Sequence, residues 1–297
     1  MKKAIVTGGA GFVGSNLVDK LIEQGVEVTI LDNLSTGKKE NINPKAKFIE
    51  CDISTASQVD LTFYINGADV VFHTAAKARV QPSIDDPLAF NKANVDGTLN
   101  MLYASHKMKV KRFVYSASSS AYGNASKFPT PEEHPTNPLS PYGLQKYYGE
   151  RLCSIYSKLY SLETCCLRYF NAFGGRQKIS GAYATVIGIF KYQIKNNLPL
   201  TIRGDGEQKR DFIHAKELAN ANYLAMTSKE KFCGEVFNLG SGESLSINKI
   251  ASFFDSEKKF ISAVKEPKES LADITKAKSV LNWSPNINIK KWIEKKI

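Results

Sequence analysis

The segment between residues 2 and 32 contains the pattern that most narrows the possible folds. A short apolar strand at 2–6 runs directly into the sequence TGGAGFVG at 7–14, and an amphipathic helix follows up to Gly25. The glycines at 8, 11 and 14 permit a tight turn and let backbone N–H groups approach a pyrophosphate at the helix N-terminus. A second strand at 26–31 completes a βαβ unit of the dinucleotide-binding kind.

An acidic residue closes the second strand of this unit. Asp32 stands about 20 residues after the glycine loop, where a carboxylate binds ribose hydroxyls and repels a 2′-phosphate. The position therefore favours NAD over NADP.

Strands and helices continue to alternate through the first half. Strands are predicted at 47–51, 69–73 and 111–116, with a long helix at 87–107. This alternation predicts a parallel, doubly wound sheet with both faces covered. Ligands of such sheets lie beyond the carboxyl ends of the strands. The loops that begin at Gly8, Asp32, Asp52, Thr74 and Ala117 should therefore meet at one site, with Asp52 and Ile53 flanking an adenine ring.

The sequence SPYGLQK at 140–146 places a phenol and an ammonium four residues apart. Ser140 suits a helix N-cap and Pro141 the first helical position, so Tyr142 and Lys146 should share one helix face. A lysine beside a tyrosine favours the phenolate and is expected to lower the tyrosine pKa from about 10. Such a phenolate can take a proton from a sugar hydroxyl. Tyr-x-x-x-Lys alone also occurs on ordinary helix surfaces, so the pattern needs the support of other motifs.

Composition excludes several other classes of protein. The 297 residues carry a net charge of +11, but the lysines are scattered and form no basic stripe interleaved with aromatic residues, so no nucleic-acid partner is expected. The five cysteines show neither CxxC nor metal-ligand spacing, which predicts reduced thiols and no metal site. No apolar run reaches the length of a membrane span, and the N-terminal apolar stretch is too short for a signal peptide. A cytoplasmic protein without a membrane partner is therefore expected.

Four motifs occur in a familiar order: TGGAGFVG at 7–14, SSSAYG at 118–123, YGLQK at 142–146 and RYFN at 168–171. Together they resemble the NAD-dependent epimerase/dehydratase family of extended short-chain dehydrogenases/reductases, and within it the UDP-glucose and UDP-N-acetylglucosamine 4-epimerases. HTAA at 73–76 and NVDGT at 94–98 are similar to the same family. The likeness extends over nearly the whole chain.

The resemblance implies a role for individual residues. Tyr142 would be the catalytic base, Lys146 its electrostatic partner, and Ser118 the hydroxyl that binds the reacting sugar oxygen. In the family the alanine loop lines the NAD pyrophosphate and the asparagine lies near the nicotinamide. The full set of expected NAD contacts is Gly8, Gly11, Phe12, Val13, Asp32, Asn33, Asp52, Ile53, Ala75, Ala76, Asn94, Tyr142, Lys146 and Tyr169.

The second half should bind a UDP-sugar. By resemblance Asn171 and Arg210 contact the substrate diphosphate, and Ser119 could share the work of Ser118. The family usually has an Arg-x-Gly-Asp run where this chain has AVKE at 263–266, so Glu266 could replace the acid while the arginine is missing. Ser270 stands where a bulky tyrosine narrows the pocket of some epimerases, and a small residue there would leave room for an N-acetyl group.

These observations combine into one expectation about fold and function. The predicted class is α/β, with a Rossmann-like NAD-binding domain at 1–174 and a smaller C-terminal α/β substrate-binding domain at 175–297. Part of 208–240 should pack back on the first domain. The expected activity is 4-epimerisation of a UDP-hexose through a 4-keto intermediate, and a homodimer is expected by family analogy.

Three other readings stay open at this point. A nucleotide-sugar reductase or dehydrogenase would use the same motifs but release reduced cofactor. A 4,6-dehydratase would carry an Asp-Glu pair directly after Ser118, where this chain has Ser119 and Ser120. A non-catalytic NAD sensor would not need the proton-transfer set.

Overall fold

The computed structural model describes residues 1–263 and 266–296. Its strands, in chain order, are β1 (Lys3–Thr7), β2 (Glu27–Asp32), β3 (Lys47–Glu50), β4 (Val70–His73), β5 (Arg112–Ser118), β6 (Glu163–Tyr169), β7 (Asn171–Phe173), β8 (Leu200–Arg203), β9 (Lys209–His214), β10 (Cys233–Leu239), β11 (Ser244–Ser246) and β12 (Lys258–Ile261). Its α-helices are α1 (Phe12–Glu23), α2 (Gln58–Ile65), α3 (Val80–Asp85), α4 (Pro87–Asn91), α5 (Gly97–Lys107), α6 (Pro141–Tyr160), α7 (Val186–Lys195), α8 (Ala215–Thr227), α9 (Ile247–Ala251), α10 (Thr275–Leu281) and α11 (Ile289–Lys296).

Seven strands form one parallel sheet in the order β10-β6-β5-β4-β1-β2-β3. The strand order reverses between β1 and β4, so the loops after these two strands diverge and leave a crevice at the carboxyl edge. The predicted α/β class with a doubly wound parallel sheet is confirmed. The crevice falls where the sequence predicts the dinucleotide.

The strands of this sheet are apolar on both sides because each face is covered. In β1, Ala4 and Val6 belong to the apolar cluster beneath α1 and α8, whereas Ile5 points to the opposite cluster. That second cluster contains residues of α2, α5 and α6. Continuous apolar strands are what burial on both faces requires.

Residues beyond β6 build a second lobe and also return to the large sheet. The lobe contains the sheet β11-β9-β7 and the pair β12-β8, packed around its own apolar cluster, which includes Phe190 and Phe212. Between these elements the chain returns to the large sheet, where α8 packs on α1 and β10 forms the edge strand beside β6.

Two helices differ from their predicted form. The long helix at 87–107 is interrupted by a π-helical segment, Lys92–Asp96, between α4 and α5. In the second half the sequence predicts a helix at 183–196, but α7 begins at Val186, because the Thr185 hydroxyl caps it by accepting a hydrogen bond from the N–H of Gly188 at 3.3 Å. The five cysteines are free thiols, and Cys233 is exposed.

The described part of the chain contains neither a membrane-spanning helix nor a cluster of metal-binding side chains. No helix there is long and apolar enough to cross a bilayer. The same residues contain no group of three or more His, Cys, Asp or Glu side chains that could hold a metal ion.

Candidate active site

A cleft of about 940 Å³ opens at the carboxyl edge of the large sheet. Segments that follow β1, β2, β3, β4 and β5 contribute to its walls, as the doubly wound topology predicts. The expected NAD contacts that line it are Gly8, Gly11, Phe12, Val13, Asp32, Asn33, Asp52, Ile53, Ala75, Ala76, Tyr142, Lys146 and Tyr169.

The glycine loop has the backbone geometry that a diphosphate requires. Gly8 has a φ of +70°, and a Cβ atom there would lie 2.7 Å from the Cα of Ala75. A Cβ atom on Gly14 would clash with the carbonyl oxygen of Gly8. No side chain caps α1 at Gly11, so the first-turn N–H groups of the helix remain available to an anion. The loop therefore fits the NAD pyrophosphate.

Asp32 stands at the end of β2 with its carboxylate fixed by the backbone. Its two oxygens accept hydrogen bonds from the N–H groups of Ala10 at 2.9 Å and Leu34 at 2.8 Å. Burial raises the pKa of Asp32, and these two hydrogen bonds oppose that shift. The Asp32 carboxylate can accept hydrogen bonds from ribose hydroxyls, so this position suits the ribose of a dinucleotide.

Asn94 is the expected cofactor contact that does not line the cleft. It is buried in the π-helical segment, where its amide bonds the backbone N–H and C=O of Lys77 and the side chain of Gln145. Asn94 therefore holds the loop after β4 against α6. The sequence could not separate this supporting position from a direct contact.

Tyr142 lies in the first turn of α6, where the Ser140 hydroxyl accepts a hydrogen bond from the N–H of Gly143 at 3.1 Å. The predicted cap is confirmed. The expectation that Lys146 lowers the pKa of Tyr142 is wrong: burial of the phenol raises its pKa. A hydrogen bond with Ser118 and the positive charge of Arg79 oppose this shift.

Lys146 is directed toward the backbone of β5. Its Nζ donates to the carbonyl oxygen of Ser116 at 2.9 Å and lies 5.0 Å from the centroid of the Tyr115 ring. Burial lowers the pKa of Lys146 from 10.5 to about 8, while the nearby Glu150 carboxylate acts in the opposite direction. Loss of hydration in the protein interior therefore disfavours the charged form of Lys146.

Lys146→Met is expected to raise the free energy of unfolding at pH 7 by an amount on the order of 3 kcal/mol, because the variant buries no ammonium. The folded protein binds this proton less tightly than the unfolded chain does, so wild-type stability should rise between about pH 8 and 10.5. The variant should lack that rise. Urea unfolding of the nucleotide-free proteins at pH 7 and at about pH 10 measures both effects, and a less stable variant at pH 7 would contradict the expectation.

The serines at the end of β5 and just after it form a small hydroxyl cluster. The Oγ of Ser118 accepts hydrogen bonds from the Oγ of Ser120 at 2.7 Å and from its N–H at 3.2 Å. Ser119 is partly exposed, and its carbonyl oxygen accepts from the N–H of Tyr122. Ser118 and Ser119 lie outside the cleft lining, although Ser118 reaches the site through its hydrogen bond with Tyr142.

A second cleft, of about 340 Å³, is lined mainly by residues of the second lobe, together with Arg79 from the segment after β4, and contains three of the expected substrate contacts: Asn171, Arg210 and Glu266. The guanidinium of Arg210 pairs with the carboxylate of Glu266 at 2.7 Å. Ser270 lies behind the lining, and its Oγ accepts from the amide of Asn171 at 3.2 Å. Val264 and Lys265, in the stretch that departs from the family pattern, lie outside the described residues.

Sequence reasoning missed Arg79, which lines both clefts, and Gln177 and Tyr183, which line the first. Arg79 follows β4 at the carboxyl edge of the sheet, where ligands of doubly wound sheets bind. Its position in the sequence could therefore have predicted that it lines the site. Gln177 and Tyr183 come from the segment between β7 and α7, and no local pattern marks them.

Comparison with known proteins places the chain among proteins of the same size and fold. A protein of Methanocaldococcus jannaschii, provisionally named a UDP-glucose 4-epimerase, is 41% identical over 300 residues, covering 98% of this chain and 96% of its own. The UDP-N-acetylglucosamine 4-epimerase of Methanobrevibacter ruminantium, solved with UDP-N-acetylmuramic acid, shares 36% identity and a TM-score of 0.92. That match covers 98% of this chain and 96% of the other.

A third protein shows the same architecture with both ligands present. The UDP-glucuronic acid 4-epimerase of Bacillus cereus, solved with UDP-glucuronic acid and NAD, has a TM-score of 0.89 and 34% identity, with 98% of this chain and 96% of that chain covered. The profile described as the NAD dependent epimerase/dehydratase family matches residues 4–240. The chain therefore belongs to the NAD-dependent epimerase/dehydratase family.

Proposed function

We propose that this protein inverts the configuration at C4 of a UDP-hexose, with NAD as its cofactor. The observation that carries the proposal is the position of Tyr142, which lines the dinucleotide cleft together with Arg79, a residue that also lines the second cleft. A phenol at this junction can reach a sugar bound in the second cleft. The solved relatives, which are UDP-sugar 4-epimerases, support the same activity.

The proposed chemistry assigns one proton transfer to Tyr142. NAD, when bound, supplies reversible oxidation and reduction at the sugar C4. Tyr142 takes the O4 proton as C4 becomes a ketone, and Ser118 orients O4 through its hydroxyl. After the 4-keto sugar presents its other face, Tyr142 returns the proton to O4 and the configuration at C4 is inverted. Lys146 contributes a fixed positive charge beside β5.

The second lobe, built mainly from 175–297, would bind the sugar nucleotide. We assign Asn171 and Arg210 to the diphosphate and Ser119 to the sugar. The Glu266 carboxylate, already paired with Arg210, would orient that guanidinium and bind the uridine ribose. Three arginines and one glutamate line the second cleft, which favours an anionic substrate.

Substrate range is proposed from the small side chain at 270. Because serine is smaller than the tyrosine that narrows the pocket of some epimerases, we infer that UDP-glucose and UDP-N-acetylglucosamine should both be accepted. The relatives act on different sugars, so the range has to be measured for this chain.

The test is incubation of the NAD-loaded protein with each UDP-sugar, followed by chromatography and NMR of the products. We expect the C4 epimer to form with no net change in nicotinamide absorbance. Release of reduced cofactor would instead identify a dehydrogenase, and loss of water a dehydratase. Turnover of UDP-glucose alone would refute the argument from Ser270.

We further propose a homodimer formed through α5 and α6. Both helices expose apolar side chains that a second copy of the chain could cover: Leu99, Tyr103, Leu144, Tyr148, Ile155 and Leu159. Leu144, Tyr148, Ile155 and Leu159 follow helical spacing and so form one stripe along α6.

The double variant Ile155→Asp/Leu159→Asp should be monomeric by light scattering, because two carboxylates would be buried at the interface. The matched control is Leu198→Asp, at an exposed leucine of the second lobe. It should leave the dimer intact. A wild-type protein that is monomeric at micromolar concentration would contradict this part of the proposal.

A further inference from the structure

Arg79 has an unusual backbone conformation at the junction of the two clefts. It follows β4 with a φ of +102°, in the region that favours glycine. Its Nε donates to the carbonyl oxygen of Tyr183 at 3.2 Å, which fixes the direction of the side chain. A residue in this strained backbone conformation beside a cleft points to a use for its side chain.

The guanidinium of Arg79 has no anionic partner in the described part of the chain. Arg112, Arg168, Arg176 and Arg210 all pair with carboxylates at 2.7 Å, whereas the only described hydrogen bond of Arg79 is the one to Tyr183. Its two Nη groups therefore remain available. Arg79 is partly buried, so leaving its charge without a counter-charge is costly, and a ligand anion would offset that cost.

The surroundings of Arg79 indicate that the ligand anion it would pair with belongs to the sugar and not to the diphosphate. Arg79 lines the first cleft, as Tyr142 does, and also the second cleft, so its guanidinium lies between the phenol and the proposed sugar-nucleotide site. The diphosphate is assigned to Asn171 and Arg210, in the part of the second cleft that does not extend into the first. In a hexose, C4 is bonded to C5, and C5 carries C6. A group on C6 therefore comes close to Arg79 when C4 faces Tyr142.

We propose that Arg79 is a specificity residue that binds a carboxylate at C6, so that the preferred substrates are UDP-hexuronic acids. This inference rests on the proposed function, since it assumes a UDP-sugar with C4 at Tyr142. A guanidinium presents two parallel donors to a carboxylate, and a neutral hydroxymethyl group at C6 cannot accept both.

The experiment compares UDP-glucuronic acid with UDP-glucose, by calorimetric binding to the NAD-loaded protein and by kcat/KM for C4 inversion. The wild type should bind UDP-glucuronic acid at least about tenfold more tightly. Arg79→Gln should weaken UDP-glucuronic acid about 30-fold or more and UDP-glucose less than about threefold. Arg203→Gln, at another arginine of the second cleft, is the matched control for general loss of charge and should weaken both ligands equally.

Other outcomes would overturn the inference. Equal weakening of both ligands by Arg79→Gln would place the guanidinium on the diphosphate. An equal fall in kcat on both sugars, with the acid limb of the pH profile moved upward, would make Arg79 a positioning residue for the Tyr142 phenolate. If no UDP-sugar is turned over, the proposed function fails, but the binding ratio still decides the role of Arg79.

Discussion

Tyr142→Phe is expected to lower turnover by about two orders of magnitude or more while leaving the fold and NAD binding intact. The substitution removes only the phenol oxygen, which is the group proposed to carry the O4 proton. The ring remains in the first turn of α6, so the walls of the cleft should not change. Initial rates on the preferred UDP-sugar, together with calorimetric NAD binding, measure the two quantities.

The matched control is Tyr148→Phe, on the exposed side of the same helix. It loses an identical oxygen outside the cleft lining, in the exposed stripe of α6, and should keep nearly full turnover. Near-normal turnover of Tyr142→Phe would remove Tyr142 from the mechanism. Because burial raises the pKa of Tyr142, wild-type turnover should also increase with pH as the phenolate fraction grows.

Glu150→Ala is expected to lower the free energy of unfolding by about 3–5 kcal/mol. Glu150 and Arg168 form a two-pronged ion pair at 2.8 and 2.7 Å, and only 3% and 4% of their side chains are exposed. Removing the carboxylate leaves the Arg168 guanidinium buried against the Tyr122 ring and the carbonyl oxygen of Glu132. A loss of this size is a large share of the stability of a typical protein.

Urea unfolding at neutral pH measures this effect, with Glu27→Ala as the control. Glu27 pairs with Lys3 at 3.8 Å on the surface, where both side chains are more than half exposed, so its loss should cost less than about 1 kcal/mol. Similar losses in the two variants would show that burial adds nothing to the Glu150–Arg168 pair.

The sequence was sufficient for the large sheet because its signals are local and periodic. The glycine loop, the acid at Asp32 and the alternation of apolar strands with amphipathic helices each depend on neighbouring residues. The cap at Ser140 and the first turn of α6 are local in the same way. These features placed nearly all the expected cofactor residues around one cleft.

Other properties of the site depend on contacts that no local pattern records. The pKa of Tyr142 rises because of how deeply the phenol is surrounded, and the spacing to Lys146 carries no information about that. Asn94 bonds Lys77 and Gln145 across three separate segments, so its supporting role becomes visible only in three dimensions. Arg79 matters because of its φ and because the segment before α7 folds over it.

The edge strand β10 has a consequence for protein engineering. Because residues 233–239 complete the large sheet after the chain has already built β7, β8 and β9, the two lobes cannot be separated by a single cut. A fragment ending near residue 174 would leave the β6 edge unpaired and its apolar surface open to aggregation. Exchanging sugar-binding parts between relatives therefore requires two breakpoints, one on each side of the α8–β10 return.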